Sequence, residues 1–146
     1  MSLTMLLMNV AATWFMTGLI WFVQVVHYPL MAGVGGDGYA GYQRRHMTRT
    51  TWVVAPAMLV EMVTALALVR WRPEAVPMAA VWAGIAGVAV VWASTGMLQV
   101  PAHETLAQGF TAAAHRRLVR SNWVRTLAWS GRAGLATWML WRVCAT

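Results

Sequence analysis

Four long apolar stretches dominate the chain, and each carries polar side chains at helical spacing. They cover residues near 4–28, 51–69, 78–100 and 122–141. A hydrocarbon core of about 30 Å requires roughly 20 helical residues, so each stretch is about long enough to cross a bilayer. The chain is 60% hydrophobic and only 10% charged, whereas a soluble domain has about 25% charged residues. The sequence therefore predicts a single all-α domain with four transmembrane helices.

The polar residues of these stretches predict an up-and-down bundle with a polar interior. Polar groups inside a bilayer are costly unless they face one another or water, so repeated stripes indicate a shared central site. The stripes are Asn9, Thr13, Thr17, Gln24 and His27 in the first stretch, His46, Thr50, Glu61 and Thr64 in the second, Thr95, Gln99 and His103 in the third, and Asn122, Arg125, Trp129 and Arg132 in the fourth.

The basic residues are all arginine, and the formal net charge is +7. We interpret them through the positive-inside rule and expect no nucleic-acid partner. Their distribution predicts a multi-pass protein of the bacterial inner membrane, with both termini outside and the two longer loops in the cytoplasm. The arginines predicted on the cytoplasmic side are Arg44, Arg45, Arg49, Arg116, Arg117 and Arg120, and those on the other side are Arg70, Arg72 and Arg142.

Three connections separate the predicted spans. A glycine-rich turn over residues 33–38 follows the first span, and the segment from Arg70 to Pro77 predicts a tight hairpin between the second and third. The segment from Glu104 to Arg120 contains residues that favour a helix, so we expect helix to continue through it.

The four histidines of the chain fall on one side of the predicted bundle. In an up-and-down topology, the end of the first span, the start of the second, the end of the third and the start of the fourth meet at the same end. His27, His46, His103 and His115 occupy these positions. The mouth of any site in this bundle is therefore expected at the histidine end.

His27 and His103 each lie two residues from a proline, Pro29 and Pro101 respectively. A proline frees a carbonyl of the preceding turn and bends the helix, so both histidines are expected to point inward. They are either site residues or interfacial residues bonded to a freed carbonyl or a neighbouring Gln. His46 and His115 lie in basic segments and are interpreted as solvated.

Glu61 is the acid expected deepest in the bilayer, where an unpaired carboxylate costs several kcal/mol. Arg125 enters the fourth span from the same side, so we predict a Glu61–Arg125 ion pair, with Arg132 as the deeper alternative. Such a pair either stabilises the contact between two helices or positions a substrate.

Three short motifs carry a resemblance across nearly the whole chain. His27-Tyr28-Pro29 ends the first span, Pro101-Ala-His-Glu-Thr-Leu106 ends the third, and Arg132 lies in a fourth span rich in Arg and Trp. This pattern resembles the four-helix anthrone-oxygenase-like integral membrane proteins. The resemblance implies cofactor-independent oxygenation of polycyclic phenolic substrates, with His27, His103 and Arg132 at the site. The chain departs from the expected Pro-x-Asn pattern, because it has His103 at the third position.

The first functional hypothesis is a small membrane oxidoreductase or oxygenase that acts on a lipophilic aromatic or quinone-like molecule. A histidine would act as general base and an arginine would stabilise the developing oxyanion. The candidate catalytic residues are His27, His103, Arg125 and Arg132, and the candidate substrate-binding residues are Gln24, Glu61, Gln99, Asn122 and Trp129.

The second hypothesis is binding or transport without catalysis. A b-type haem held by His27 and His103, or a small-molecule carrier gated by the Glu61–Arg125 pair, would use the same polar stripes. No HxxxH, HExxH or ExxH pattern occurs and Cys144 is the single cysteine, so no zinc or di-iron site is predicted.

The expected partners are the lipid bilayer and a hydrophobic small molecule. Small residues in the third and fourth spans permit close helix contacts, either within the bundle or between subunits of an oligomer. These residues are Gly84, Gly87, Gly131 and Gly134.

Overall fold

Four long helices make up the protein. The computed structural model describes residues 1–145 and contains no strand in that range. The helices are α1 (Ser2–Met31), α2 (Gly36–Trp71), α3 (Met78–Ala107) and α4 (Ala112–Cys144). The predicted all-α bundle is confirmed.

Successive helices run antiparallel and each packs on its two neighbours around the bundle. α1 and α3 both pack against α2 and α4. The register of α1 against α4 is set by indole donors: Trp14 donates to the Thr137 hydroxyl over 2.9 Å, and Trp21 donates to the Ser130 hydroxyl over 3.0 Å. Residue numbers rise in α1 as they fall in α4, as the up-and-down topology requires.

Three helices, α1, α2 and α3, are long and apolar enough to cross a membrane. Large apolar side chains on their outer surfaces are exposed, including Trp52 at 77% and Met97 at 72%. Such a surface is compatible with lipid and not with water. The chain is therefore a membrane protein.

The fourth helix is as long as the others but less apolar, because arginines and an asparagine interrupt it. Those side chains, Asn122, Arg125 and Arg132, are buried inside the bundle. Its contacts with α1 extend from Val119, which accepts a hydrogen bond from Gln24, to Thr137. α4 therefore lies along α1 over this length and turns these three polar side chains inward.

Two of the helices contain a π-helical turn at the same distance from a proline. Residues Val23–His27 of α1 and Thr95–Gln99 of α3 form π-helix, and each turn ends two residues before a proline, Pro29 or Pro101. Proline has no N–H and its ring crowds the carbonyl four residues earlier, so a widened turn relieves the clash. α1 and α3 thus contain the same kind of π-helical turn before a proline, which was not predicted from the sequence.

The connections are short. α2 begins directly after Gly35, whose φ of 82° is favourable for glycine. Contrary to expectation, helix does not continue from Glu104 to Arg120: α3 ends at Ala107, and α4 begins at Ala112. Gly109, at φ 151°, interrupts the helix there. The Thr111 hydroxyl then caps α4 by accepting a hydrogen bond from the Ala114 N–H.

Buried polar side chains occur along the whole length of the bundle, as the stripes predicted. They alternate with clusters of apolar side chains, and every helix contributes to both. The buried polar residues are Asn9, Thr13, Thr17, Gln24, Gln43, Glu61, Thr64, Ser94, Gln99, Asn122, Arg125, Thr126 and Arg132.

Candidate functional site

A buried ion pair joins α2 to α4 across the middle of the bundle. Arg132 Nε donates to Glu61 Oε1 over 2.9 Å, and both side chains are almost fully buried. Thr13 donates to the same oxygen over 2.8 Å, and Trp129 Nε1 donates to Glu61 Oε2 over 3.0 Å. Every carboxylate oxygen therefore has a donor, which is what makes a buried charge tolerable. We call Glu61, Arg132, Thr13 and Trp129 the ion-pair cluster.

Arg132 fits between the helices because α3 presents glycines to it. One of its terminal nitrogens donates to the Gly84 carbonyl. A Cβ at Gly87 would lie only 2.7 Å from Arg132 Cγ. The small residues of α3 thus serve a contact within the bundle.

The predicted Glu61–Arg125 pair is wrong, and the alternative partner, Arg132, is correct. α2 and α4 run in the same direction from the histidine end, and their apolar stretches begin near residues 51 and 122. Glu61 and Arg132 each lie ten residues beyond those starts, whereas Arg125 lies only three beyond. Glu61 consequently lies level with the deeper arginine.

Arg125 belongs to a separate polar network nearer the histidine end. Its guanidinium donates twice to Asn122 Oδ1, over 2.9 Å from Nε and 2.6 Å from Nη2. Asn122 Nδ2 in turn donates to Gln24 Oε1 over 2.8 Å. No acid pairs with Arg125 among residues 1–145. Its charge is therefore held by neutral groups and can be shared with a ligand.

The same guanidinium begins a chain of hydrogen bonds that ends on α2. Arg125 Nη2 donates to the Tyr28 hydroxyl oxygen over 3.3 Å, and Tyr28 Oη lies 3.0 Å from His103 Nε2. Because arginine can only donate, the Tyr28 hydrogen is free to donate to His103. His103 Nε2 is then the acceptor, and the proton of the neutral ring lies on Nδ1.

Gln43 completes this chain. Its amide lies 2.7 Å from His103 Nδ1, and the residue is fully buried. With the amide nitrogen toward the ring, Gln43 Oε1 has no partner. Turning the amide by 180° lets Oε1 accept from Nδ1–H, in keeping with the Tyr28–His103 contact. We call Arg125, Tyr28, His103 and Gln43 the hydrogen-bond chain.

The four histidines do meet at one end of the bundle. His27 Nε2 lies 3.0 Å from His46 Nδ1, and the His46 ring centroid lies 5.4 Å from that of His103. His115 Nε2 lies 2.7 Å from the Tyr28 carbonyl oxygen, to which it donates. Since Tyr28 lies in the last turn of α1, this contact satisfies a carbonyl that has no helical partner.

A cavity of about 290 Å³ lies between the ion-pair cluster and the histidines. Small-molecule pockets in proteins typically have volumes of about 300–1,000 Å³, so it suits a compact ligand. Apolar side chains line most of the cavity. Polar side chains line the part nearest the histidines, which we call the polar end. The apolar wall includes Met16, Leu19, Ile20, Val23, Val54, Met58, Trp92 and Trp129, and the polar end consists of Tyr28, His46, Thr95, Gln99, His103 and Arg125.

The cavity opens sideways between α2 and α3. Of the residues that line it, only Thr51, Trp92 and Val100 are classed as exposed, and these belong to α2 and α3. We call these three residues the mouth. Both helices are long and apolar enough to span a membrane, and the mouth lies on the outer surface that they present.

Gln99, at the polar end, has one buried acceptor without a partner. Its Nε2 donates to the Ser121 hydroxyl over 2.9 Å, but its Oε1 has no partner although the residue is 1% exposed. A buried acceptor without a donor is costly unless a ligand or water supplies one.

The sequence-predicted site residues divide into three groups. His103, Arg125, Gln99 and Trp129 line the cavity. His27 and Asn122 stand behind the lining, bonded to His46 and Arg125 respectively, and Gln24 is bonded to Asn122. Glu61 and Arg132 lie deeper, beyond Trp129, and are not part of the lining.

Several lining or supporting residues were not among the sequence candidates. Tyr28 and Gln43 belong to the hydrogen-bond chain, and His46 lines the cavity although it was interpreted as solvated. A signal existed for two of them: Gln43, His46 and Thr50 follow one another at spacings of three and four, which places them on one helical face. The start of α2 at Gly36 brings that face into the bundle.

The histidines do not fit the axial ligands of a haem. His27 and His103 would have to face each other across a porphyrin, but the His46 ring contacts both of them. Both nitrogens of His103 are also engaged. Within residues 1–145, no three His, Cys, Asp or Glu residues are grouped as metal ligands.

Comparison with known proteins assigns no family: no family model matches the chain, and no curated protein or solved structure is significantly similar to it.

Proposed function

We propose that this protein is a membrane oxidoreductase that acts on a lipophilic aromatic or quinone-like molecule. The observation that carries the proposal is the cavity, whose mouth lies on the outer surface of α2 and α3, whose walls are apolar and whose polar end holds Arg125. An apolar pocket with a few convergent polar groups is the usual form of a small-molecule site. A ligand dissolved in the bilayer would enter without crossing water.

Arg125 and Tyr28 are the groups that stabilise negative charge on the ligand. Both line the cavity, and the Arg125 guanidinium has no carboxylate partner in the described chain. Positioned cationic donors are most effective where charge develops in a site that excludes water. A phenol placed against these groups would become more acidic. A carbonyl oxygen in the same place would make the C–H bonds of ring carbons conjugated with it more acidic.

The oxygenase form of the reaction uses dioxygen as the oxidant. A base removes a proton from a ring methylene conjugated with a carbonyl, and the electron pair stays on the ligand as an enolate. Dioxygen takes up the electrons that the ligand loses. One oxygen atom forms a new carbonyl on the ring carbon, and the other leaves as water with the two hydrogens of that carbon. The resemblance to anthrone-oxygenase-like proteins supports this form of the proposal.

The proposed location is the bacterial inner membrane, with the histidine end in the cytoplasm. All six arginines predicted on that side are exposed, against three at the other end, which supports this orientation. The oxidised product would return to the bilayer through the mouth.

The test is turnover by the purified protein in lipid vesicles. Anthrone and a naphthohydroquinone are supplied under air, and oxygen uptake and product absorbance are recorded. Arg125→Gln should lower turnover about 100-fold, whereas Arg120→Gln, an exposed change on the same helix, should have no effect. Absence of turnover with both compounds would overturn the oxidoreductase proposal. Saturable binding without oxygen uptake would favour the alternative of a binding protein.

A further inference from the structure

His46 is the histidine of the cavity that has a ring nitrogen to spare. Its Nδ1 lies 3.0 Å from His27 Nε2 and 3.2 Å from the Thr50 hydroxyl. Its Nε2 has no hydrogen-bond partner among residues 1–145, and the residue lines the cavity. A ring held at one nitrogen and open at the other is arranged to exchange a proton at the open one.

His103 differs from His46 in this respect. Both of its nitrogens are engaged, Nε2 with Tyr28 and Nδ1 with Gln43. It could take a proton from a ligand only by breaking the hydrogen-bond chain. His103 therefore holds Tyr28 in place, while His46 remains available.

The orientation of the His46 ring is fixed from several sides. Its centroid lies 4.6 Å from that of His27, with an angle of 27° between the rings. The Tyr42 ring lies nearly parallel to it, at 6.2 Å and 12°. Rotation of the ring away from the cavity would lose these contacts, so the base need not be reoriented in each turnover.

We propose that His46 is the general base of this site and that His27 is its positioning residue, an assignment that rests on the proposed function. His46 Nε2 takes the proton, the C–H electron pair stays on the ligand, and the charge develops on the ligand oxygen beside Tyr28 and Arg125. The resulting imidazolium keeps its Nδ1–H donated to His27 Nε2. The proton leaves His46 when the reduced oxygen departs as water.

The experiment compares His46→Gln and His27→Gln with the unchanged protein, using anthrone as substrate and anthraquinone as a product-like binding probe. His46→Gln should lower kcat about 100-fold or more and leave the Kd of anthraquinone within about twofold. His27→Gln should lower kcat about tenfold, because the base loses its orientation but remains present. Arg49→Gln, an exposed change three residues from His46, is the matched control and should match the unchanged protein.

Two further readouts separate a base from a merely structural residue. His46→Gly leaves space beside the cavity, and added imidazole should restore at least a tenth of the lost activity. The rate with anthrone deuterated at the methylene should also fall more in His46→Gln than in the unchanged protein, because proton removal becomes the slow step.

The outcomes distinguish this assignment from the proposed function. If the unchanged protein oxidises anthrone and His46→Gln does so at an equal rate, His46 is not the base, while the proposed function stands. Failure of imidazole to rescue a folded His46→Gly that still binds anthraquinone would also overturn the assignment. A protein that oxidises none of the compounds overturns both, because a base then has no reaction to serve.

Discussion

Trp129 donates its indole hydrogen to Glu61 Oε2 over 3.0 Å, and its ring forms part of the cavity wall. Trp129 is fully buried and Glu61 is 1% exposed. One side chain therefore links the charges in the middle of the bundle to the site beside the histidines. A change in the ion-pair cluster is expected to alter the cavity wall as well as stability.

Trp129→Phe should separate these two roles. Phenylalanine keeps an aromatic ring in the wall but leaves Glu61 Oε2 without its donor, which should lower the free energy of unfolding by about 1–3 kcal/mol. Thermal unfolding in detergent measures the loss. Trp52→Phe, a change at an outward-facing indole that is 77% exposed, serves as the control. Equal stability of the two variants would contradict a structural role for this hydrogen bond.

Removal of one partner of the buried ion pair should cost more than removal of both. Glu61→Leu and Arg132→Leu should each lower the free energy of unfolding by about 3–5 kcal/mol, since each strands a charge. The double variant should lose less than the sum of the two, because no charge remains unpaired. Thermal unfolding of the three variants in one detergent gives the coupling energy.

Arg125 supplies the control for this cycle. It has no contact with Glu61 and is held by Asn122 and Tyr28. The combination of Glu61→Leu with Arg125→Leu should therefore show nearly additive losses. Strong coupling between Glu61 and Arg125, with none between Glu61 and Arg132, would show that the pairing described above is incorrect.

Gly87→Ala should destabilise the bundle although alanine favours helix. The added Cβ would lie 2.7 Å from Cγ and 2.9 Å from Cδ of Arg132, whose end is fixed by Glu61 and the Gly84 carbonyl. Because the arginine cannot swing away freely, we expect a loss of about 1–3 kcal/mol from overpacking. Thermal unfolding in detergent measures it.

Two neighbouring glycines provide matched controls. A Cβ at Gly84 would make only an ordinary contact, 3.5 Å from Arg132 Nη1, and a Cβ at Gly131 would meet nothing within 4 Å. Gly84→Ala and Gly131→Ala should therefore be neutral or stabilising by up to about 1 kcal/mol. A Gly87→Ala variant as stable as these two would mean that Arg132 does not fill the space beside α3.

The mouth should control the rate at which ligands enter. Thr51→Trp places a large ring at the opening between α2 and α3, and should slow the association of anthraquinone by about tenfold while changing its equilibrium affinity less. Val53→Trp adds the same ring to α2 outside the lining, so it should have no effect. Stopped-flow binding in vesicles compares the two. Equal association rates would indicate that ligands enter elsewhere.

The sequence was sufficient for the architecture because the four apolar stretches dominate the free energy of a chain in lipid. The polar stripes also predicted which faces turn inward: Asn9, Gln24, Gln99 and Asn122 are all buried. These conclusions depend only on the spacing of polar residues along a helix. That spacing is visible in the sequence even when the first residue of the helix is unknown.

The partners within the site could not be predicted, because they depend on helix starts and on the π-turns. The Glu61–Arg132 pair is an exception, because both residues lie ten positions beyond the starts of their apolar stretches. The start of α2 at Gly36, well before its apolar stretch, drew His46 into the bundle from a segment that looked basic and solvated. A hydropathy profile does not detect a polar helical segment that precedes an apolar stretch, as in α2.

The two π-turns have a consequence for how the site is aimed. Each adds one residue to a turn, and one residue corresponds to about 100° of rotation in an α-helix. The residues before Val23 in α1 and before Thr95 in α3 therefore follow one helical register, and Tyr28 and His103 follow another. The widened turn absorbs this residue, so deletion of a single residue within either turn should restore a regular α-helix and leave Tyr28 or His103 facing the cavity. Closure of either turn without a deletion would instead rotate Tyr28 or His103 by about 100°, from the cavity toward lipid.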